Sequence, residues 1–120
     1  MAAMRVVIDP GYERAVAAAL DLLIDQDALL AAERLLERAL RFLPALLAQF
    51  PRAGRDSIAR NPASDKVSMA VEHLHALLGD DIELREYLLD DYLALYAIRH
   101  ETVTLLTLRH HRQSGFALVT

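Results

Sequence analysis

The architecture of the chain follows from residues 83–113, which read ELREYLLDDYLALYAIRHETVTLLTLRHHRQ. Three runs in this segment, at 83–88, 92–99 and 103–109, are rich in the apolar, aromatic and β-branched residues that favour strands. They are separated by Asp90-Asp91 and Glu101-Thr102, and connections this short join antiparallel neighbours. The segment therefore predicts an antiparallel meander whose last strand ends in a cluster of cationic and hydrogen-bonding side chains.

The opening residues predict a strand followed by a helix. Residues 5–8 are a short apolar run, and Asp9-Pro10 is a typical helix start. An aspartate accepts a hydrogen bond from the free N–H groups of the first turn, while a proline has no N–H to leave unsatisfied there. Apolar residues then recur at the three- and four-residue spacing of a helix with one buried stripe. They are Tyr12, Val16, Ala19, Leu20 and Leu23.

A second helix is predicted to return along the first and so form a helical hairpin. Asp27 is the expected N-cap. The stripe expected to be buried consists of Leu29, Leu36, Leu40 and Leu43. Glu37 and Arg41 form an i,i+4 pair on the solvent side. Pro44 has no N–H for a helical hydrogen bond, so it should kink or restart the helix before Phe50-Pro51 ends it.

The middle of the chain predicts a loop and a third helix. Residues 52–66 contain glycine, proline and small polar residues, which favour a loop. Ser64 is the expected N-cap of a helix that runs to Leu78 and stops at Gly79. The predicted order is β-α-α-α-β-β-β in a single α+β domain, 1–120, with an extra helical segment near 57–80. Its helical hairpin should pack on a small, mainly antiparallel sheet.

Composition narrows the classes of function. Hydrophobic residues make up 54% of the 120 residues, enough for one core, and cysteine is absent, which excludes disulfides and thiol catalysis. The chain has no long uncharged apolar run and no secretory leader, so we expect a soluble, cytoplasmic protein with no membrane contact. Its net charge of −4 disfavours a general nucleic-acid binder, because such binding depends on Lys and Arg. The charge favours one small cationic contact instead.

The candidate site lies where the last predicted strand ends. Arg109 and Arg112 could hold a phosphate or carboxylate bidentately, and His110 or His111 could transfer a proton. The alternative is that both histidines are solvated residues at a strand end. Adjacent strand residues point to opposite faces, so the two histidines should not share one site while the strand stays regular.

Other histidines predict no metal site. Without cysteine and without histidines at helical i,i+4 spacing, no recognised ligand geometry appears. His73 and His75 are two residues apart on the predicted third helix and should face different directions. His100 is expected in the turn between the last two strands. We expect neither a metal nor a cofactor.

The last two strands are apolar on both faces. One face is expected to carry Leu93, Leu95, Ala97, Leu106 and Leu108. The other is expected to carry Tyr92, Tyr96, Ile98, Val103 and Leu105, with both tyrosines in the core. Helices can cover one face only, so the second should need a partner chain or another copy of the protein.

The chain resembles the RelE/ParE superfamily over nearly its whole length. The resemblance rests on the opening strand, the Asp9-Pro10 helix start, the helical hairpin, the sequence PRAGR at 51–55, and the final meander. Its most specific part is a Tyr-x-x-x-Tyr strand at 92–96 followed by an apolar strand and the His-Arg-Gln ending at 111–113. The chain departs from the family in its longer segment at 57–80.

The resemblance implies the toxin of a type II toxin–antitoxin, or plasmid-stabilisation, module. A ParE-like toxin would bind DNA gyrase, with His110, His111, Arg112 and Gln113 at the contact, and would not be an enzyme. A RelE-like toxin would be a ribosome-dependent mRNA endonuclease, with Arg85, Arg109, His110, His111 and Arg112 as candidate catalytic residues. A third alternative is a non-toxic relative.

Leu93 decides how these alternative functions are ranked. It follows Tyr92 where the mRNA-cleaving members commonly carry an arginine, and its lack of charge weakens the endonuclease alternative. The ParE-like function is therefore placed first. The implied partner is a cognate antitoxin, in a toxin–antitoxin hetero-oligomer, and a homodimer is the other assembly expected.

Overall fold

The computed structural model describes residues 3–56, 76, 79 and 81–111. The chain begins with strand β1 (Arg5–Ile8) and helix α1 (Pro10–Asp25). A second helical rod follows as α2 (Leu29–Glu37), a π-helical turn (Arg38–Phe42) and α3 (Leu43–Gln49). The remaining described strands are β2 (Arg55–Asp56), β3 (Glu83–Leu89), β4 (Tyr92–Arg99) and β5 (Thr102–His110).

Within the described residues, the five strands form one sheet in the order β1-β5-β4-β3-β2. The predicted meander is confirmed, since β3, β4 and β5 pair antiparallel in sequence. β1 is an edge strand of the sheet and pairs parallel with β5. The predicted loop at 52–66 was wrong at Arg55–Asp56, which forms β2 against β3 because two backbone pairs extend the sheet there. The predicted helix at 64–78 lies outside the described residues, apart from Ala76, which is helical.

The start of α1 is confirmed as predicted. Asp9 has extended backbone angles, and its Oδ2 accepts a hydrogen bond of 2.8 Å from the Gly11 N–H. The predicted cap of the second helix was wrong. Asp27 adopts a left-handed conformation with φ of 56°, and its N–H donates to the Ile24 carbonyl at the end of α1. The N-cap of α2 is Ala28, whose side chain can accept no hydrogen bond.

A π-helical turn joins α2 to α3 just before Pro44, where the sequence predicted a kink or restart. In this turn the Leu43 N–H donates to the Arg38 carbonyl, one residue further back than in an α-helix. The Ala39 carbonyl therefore loses its usual helical donor. The hydroxyl of Tyr12 donates to that carbonyl over 2.8 Å, and Tyr12 is fully buried. Burial raises the pKa of the Tyr12 hydroxyl well above its usual value, so it remains a donor.

The buried face of the second rod differs from the predicted stripe. Leu29 and Leu36 are exposed, while Leu43 is buried as expected. The residues that do face the core are Ala32, Leu35, Ala39, Leu43 and Leu47. Leucines occur on several faces of α2, so helical spacing alone could not select the buried face. The π-helical turn also shifts the phase between α2 and α3.

The two sheet faces bury separate clusters. The face that packs on the helices carries Tyr96, Ile98, Val103 and Leu105, as predicted, together with Leu89, Ala94 and Leu108. The opposite face carries Ile82, Leu84, Leu95, Ala97 and Leu106. Leu108 was predicted on this opposite face and lies instead against the helices. The pairing of β4 with β5 steps from Leu95↔Thr107 to Tyr96↔Leu105, so Leu106 is a bulge that reverses the alternation beyond it.

Much of the second face, on which the sequence predicted a partner chain or another copy, is buried within the chain itself. Leu84, Leu93 and Leu95 are each 3% exposed in the single chain, so this part of the sheet is already shielded from water. Leu88, which pairs with Leu93 on the same face, is 53% exposed, and further exposed apolar residues lie around the tip of the helical hairpin. They are Leu22, Ile24, Leu29 and Leu30. None of the described helices is both long and apolar enough to cross a membrane.

We expect Tyr12→Phe to lower the free energy of unfolding by about 1–3 kcal/mol, because it leaves the buried Ala39 carbonyl without a donor. Urea unfolding of the purified chain would measure the loss. Tyr87→Phe is the matched control, since its hydroxyl makes no hydrogen bond to any described residue, and it should change stability by less than about 0.5 kcal/mol. Equal losses in the two variants would refute the stabilising role assigned to the hydrogen bond from Tyr12 to the Ala39 carbonyl.

Leu95→Ala and Leu106→Ala should each lower stability by about 2–5 kcal/mol, because both side chains are buried on the sheet face away from the helices. Leu88→Ala tests the same chemical change at an exposed position of β3 and should have a much smaller effect. Thermal unfolding of the three variants would compare them. An unchanged melt for both buried leucines would contradict the assigned second cluster.

Candidate functional site

Strand ends and the tip of the helical hairpin meet at one end of the sheet. The β3–β4 turn consists of Asp90 and Asp91, and Tyr92 at the start of β4 pairs with His110 at the end of β5. Beyond the strand, the His111 N–H donates to the Asp91 carbonyl over 2.8 Å. This hydrogen bond fixes the chain leaving β5 against the turn that precedes β4. The predicted residues Arg109, His110 and His111 therefore lie together.

The two histidines lie closer than strand alternation predicted. β5 ends at His110, so His111 is free of the alternation, and the two rings stack with centroids 4.8 Å apart. The ring of Tyr92 meets His110 edge-on at 5.3 Å. Burial, followed by the nearby Asp91 charge, raises the pKa of Tyr92, so its hydroxyl stays protonated. The histidines nevertheless line different cavities.

His110 lines a cavity of about 590 Å³ between the helical hairpin and the sheet, here called the helix-side cleft. Its apolar wall comes from both layers and includes Leu22, Leu23, Leu35, Leu89 and the Tyr92 ring. Its polar wall consists of Gln26, Arg34, Arg38, Asp90, Asp91 and His110. Apolar walls with a few convergent polar groups are typical of binding sites.

Arg34 of α2 and Arg38 of the π-helical turn converge on the β3–β4 turn. Arg34 makes two hydrogen bonds to the Asp90 carboxylate, Nε to Oδ2 at 2.9 Å and Nη2 to Oδ1 at 3.3 Å. Arg38 approaches the same Oδ2 with its Nε at 3.5 Å and lies over the Phe42 ring at 4.5 Å. Asp90 has φ of 54°, a left-handed conformation that aspartate tolerates in tight turns. These contacts connect the helical hairpin to the sheet.

Arg109 and His111 line a second cavity of about 360 Å³ on the opposite face, the sheet-side cleft. Leu88 and Leu93 supply its apolar wall, and Arg55, Asp90 and Asp91 complete it. Arg109 donates from Nη1 to the carbonyls of His110 and His111, at 3.3 Å each. Its guanidinium therefore fixes the backbone at the strand end.

A buried carboxylate neutralises the other cation of the sheet-side cleft. The Arg55 Nε donates to Glu86 Oε1 over 2.9 Å, and Glu86 is only 4% exposed. A buried carboxylate needs such a partner because losing its hydration is costly. Arg55 is thus held to Glu86 across the β2–β3 pairing rather than projecting freely into solvent.

Arg85 is not brought to the strand end. It pairs with Tyr96, four residues along β4 from Tyr92 and therefore roughly 13 Å away. Its guanidinium donates to the Gly54 carbonyl and to Glu83 Oε2, the latter over 2.8 Å. These bonds satisfy an arginine in the middle of a strand and hold the backbone that precedes β2. Arg85 thus has a structural role in the described region.

Tyr96 completes this structural network as a fully buried core residue. Its hydroxyl donates to the Pro51 carbonyl over 2.8 Å and accepts from the Gly54 N–H over 2.9 Å. A Cβ at residue 54 would collide with the Glu86 carbonyl, so this close approach requires glycine. The segment PRAGR at 51–55 is therefore a packing element.

Several predicted residues lie elsewhere. Arg112 and Gln113, like His73 and His75, lie outside the described residues. His100 is a turn residue, as predicted, at the opposite end of the β4–β5 hairpin, and its Nε2 lies 3.2 Å from Asp81 Oδ2. In the described part of the chain, no group of three or more His, Asp and Glu side chains could hold a metal ion.

Sequence reasoning missed Arg34, Arg38 and Asp90. The only signal in the sequence was the i,i+4 spacing of the two arginines, which places them on one face of a helix. Their common partner is 56 residues from Arg34, and nothing local indicates that pairing. Neither family models nor curated proteins give any match to this chain.

The Glu83 network should give folding stability an acid-dependent component. Hydrogen bonds from Arg52 and, to a smaller extent, Arg85 hold the pKa of Glu83 below its ordinary value of 4.5. Because the folded pKa is the lower one, this stabilisation is complete above about pH 4.5 and is lost as the pH falls through the folded pKa. Glu83→Gln should therefore be less stable than the natural chain at pH 7, with the difference shrinking at lower pH.

Urea unfolding at several pH values would measure this difference. Glu33→Gln, at an exposed position of α2, is the control and should show a smaller loss at pH 7. A Glu83→Gln penalty that stays constant as the pH is lowered well below 4.5 would contradict the network's assigned role.

Proposed function

We propose that this protein is the toxin of a type II toxin–antitoxin module and that it acts, like ParE, by binding a protein target such as DNA gyrase. The proposal carries forward the sequence resemblance and is supported by the arrangement of strand, helical hairpin and meander, which is compatible with that family. The proposed contact residues are His110 and His111 at the end of the sheet, together with Arg112 and Gln113, which follow them in the sequence.

The observation that carries the binding mechanism is the mixed chemistry of the helix-side cleft. Leucines from both layers stand beside arginines and an imidazole, and aromatic or arginine anchors in such settings are common centres of protein recognition. The exposed leucines at the hairpin tip, including Leu29 and Leu30, extend the apolar surface beyond the cleft. They supply an interface for a cognate antitoxin or for a second copy of the chain.

A RelE-like endonuclease remains the second candidate. It is favoured by the contact of His110 with His111 and Tyr92, beside Arg109, because imidazoles can transfer protons in phosphodiester cleavage. Against it, Arg34 and Arg38 face Asp90, Arg55 is paired with Glu86, and Arg85 lies elsewhere. Cleavage needs cations directed at the developing negative charge. The third candidate, a non-toxic relative, keeps only the antitoxin interface.

Induced expression without any antitoxin distinguishes the three candidates. We expect growth arrest with loss of DNA supercoiling and intact transcripts. Transcript cleavage with normal supercoiling would replace the proposal with the endonuclease. Normal growth at a verified protein level would favour the non-toxic relative.

Arg112→Ala, and to a lesser degree His110→Ala, should relieve the arrest while antitoxin binding survives. Truncating a residue at the centre of the target contact should lower the affinity for the target by about tenfold or more. The control is His100→Ala, which removes an exposed imidazole at the other end of the same hairpin and should remain fully toxic. Full toxicity of Arg112→Ala and His110→Ala at equal protein level would place the target contact elsewhere.

A further inference from the structure

We propose that Arg34 and Arg38 form a carboxylate-recognition site in the helix-side cleft, in which Asp90 is the internal occupant. The external ligand is an aspartate or glutamate within an apolar segment of a partner protein, and its carboxylate replaces that of Asp90. This inference names the chemistry of the partner and therefore rests on the proposed protein-binding role of the cleft. Its test does not depend on toxicity.

The two guanidinium groups are already arranged around a carboxylate. Arg34 and Arg38 lie on successive turns of one helix face, and both reach the same oxygen of Asp90. Arg34 uses two nitrogens, in the forked geometry that suits carboxylates. The structure thus contains the recognised group within its own chain.

Arg38 is incompletely satisfied by that internal carboxylate. Its Nε is buried, and no described residue accepts a hydrogen bond from it. At 3.5 Å, the Asp90 oxygen gives Arg38 charge attraction without a well-formed hydrogen bond. The Phe42 ring supports the guanidinium from one side and limits its movement. A carboxylate seated deeper in the cleft could bond to Arg38 better than Asp90 does.

Asp90 is held weakly enough to exchange. The side chains of Arg34 and Asp90 are 66% and 40% exposed, and ion pairs this accessible to water contribute little to stability. Asp90 also lies in a two-residue turn, where its side chain can rotate into solvent without any change in strand pairing. Exchange of one carboxylate for another leaves the charge of the cleft unchanged, so neither arginine loses its counterion.

The surroundings favour a carboxylate carried on an apolar segment over a free anion. Leu22, Leu23, Leu35 and Leu89 line the same cavity, whose volume accommodates several side chains. Leu35 and Leu89 are already buried, but Leu22 is 56% exposed and would stay in contact with water beside a small inorganic anion. Asp91 also lines the cavity, and Asp21, Asp25 and Asp27 are sequence neighbours of the lining residues Leu22 and Gln26. These acidic residues disfavour a segment with net negative charge. The ligand is therefore apolar, carries one carboxylate, and is neutral or basic overall.

A pair of synthetic peptides tests the site on the purified full-length chain. The first is a short leucine-rich peptide with one central glutamate and one lysine, so that its net charge is zero. The second has glutamine in place of glutamate and no lysine, so that its net charge is also zero. Binding is measured by calorimetry and by the NMR signal of the Arg38 Nε–H group. Inorganic phosphate is titrated separately.

The glutamate peptide should bind at least about tenfold more tightly than the glutamine peptide, because only its carboxylate can form charge-assisted hydrogen bonds with the two arginines. Asp90→Asn removes the competitor and should raise the affinity of the glutamate peptide by about three- to fivefold. Arg38→Gln should abolish the preference between the peptides. Arg41→Gln, which alters an exposed arginine paired with Glu37 on the solvent side of the same rod, should leave it unchanged.

Equal binding of the two peptides would overturn the proposal, as would a glutamate-peptide affinity unaffected by Asp90→Asn in a folded variant. If phosphate displaces the glutamate peptide, shifts the Arg38 signal and binds as tightly as the peptide does, the proposal is overturned in favour of a general anion site. If Asp90→Asn does not fold, the wild-type preference and its loss in Arg34→Gln decide the matter. A chain that is harmless in cells but selects the glutamate peptide would refute the toxin function and support this site.

Discussion

The bulge at Leu106 in β5 determines which side chains meet the helices and which do not. Before it, Val103 and Leu105 face the helical hairpin, and after it the alternation is reversed, so Leu108 and His110 face the same way. In an unbroken strand, Thr107 and Arg109 would occupy those positions and His110 would lie on the opposite face. One inserted residue therefore places an imidazole in the helix-side cleft and a guanidinium in the sheet-side cleft.

The ends of the helical hairpin and the sheet are then joined by electrostatic contacts. Asp90, in the turn between two central strands, accepts from Arg34 of α2 and attracts Arg38, the first residue of the π-helical turn. The same contacts line the wall of the helix-side cleft. The structural connection and the proposed recognition surface thus use the same charges, and a competing carboxylate would act on both. This shared use is why the cleft is a stronger candidate site than either strand end considered by itself.

Two buried tyrosine hydroxyls bond to backbone groups that are distant in sequence and fix the packing of the segments that carry them. Tyr12 satisfies a carbonyl that the π-helical turn leaves without its usual donor, so the helix irregularity and the buried hydroxyl depend on each other. Tyr96 binds the backbone at Pro51 and Gly54 and holds the chain that enters β2. Arg85 reinforces the same segment through the Gly54 carbonyl. The cation in the middle of β3 is therefore explained by packing and needs no catalytic role.

The sequence alone determined the elements whose signals are local. Asp9 with Pro10 specified the start of α1, and the short polar connections at 90–91 and at 100–101, one residue earlier than predicted, specified the meander, because capping and tight-turn chemistry act within a few residues. Tertiary structure decided the features that depend on distant partners or on phase. Helical spacing could not choose between the leucine faces of α2, and β alternation could not reveal the bulge that redirects Leu108 and His110. The convergence of Arg34 and Arg38 on Asp90 also required the folded chain, since a contact across 56 residues leaves no local pattern to read.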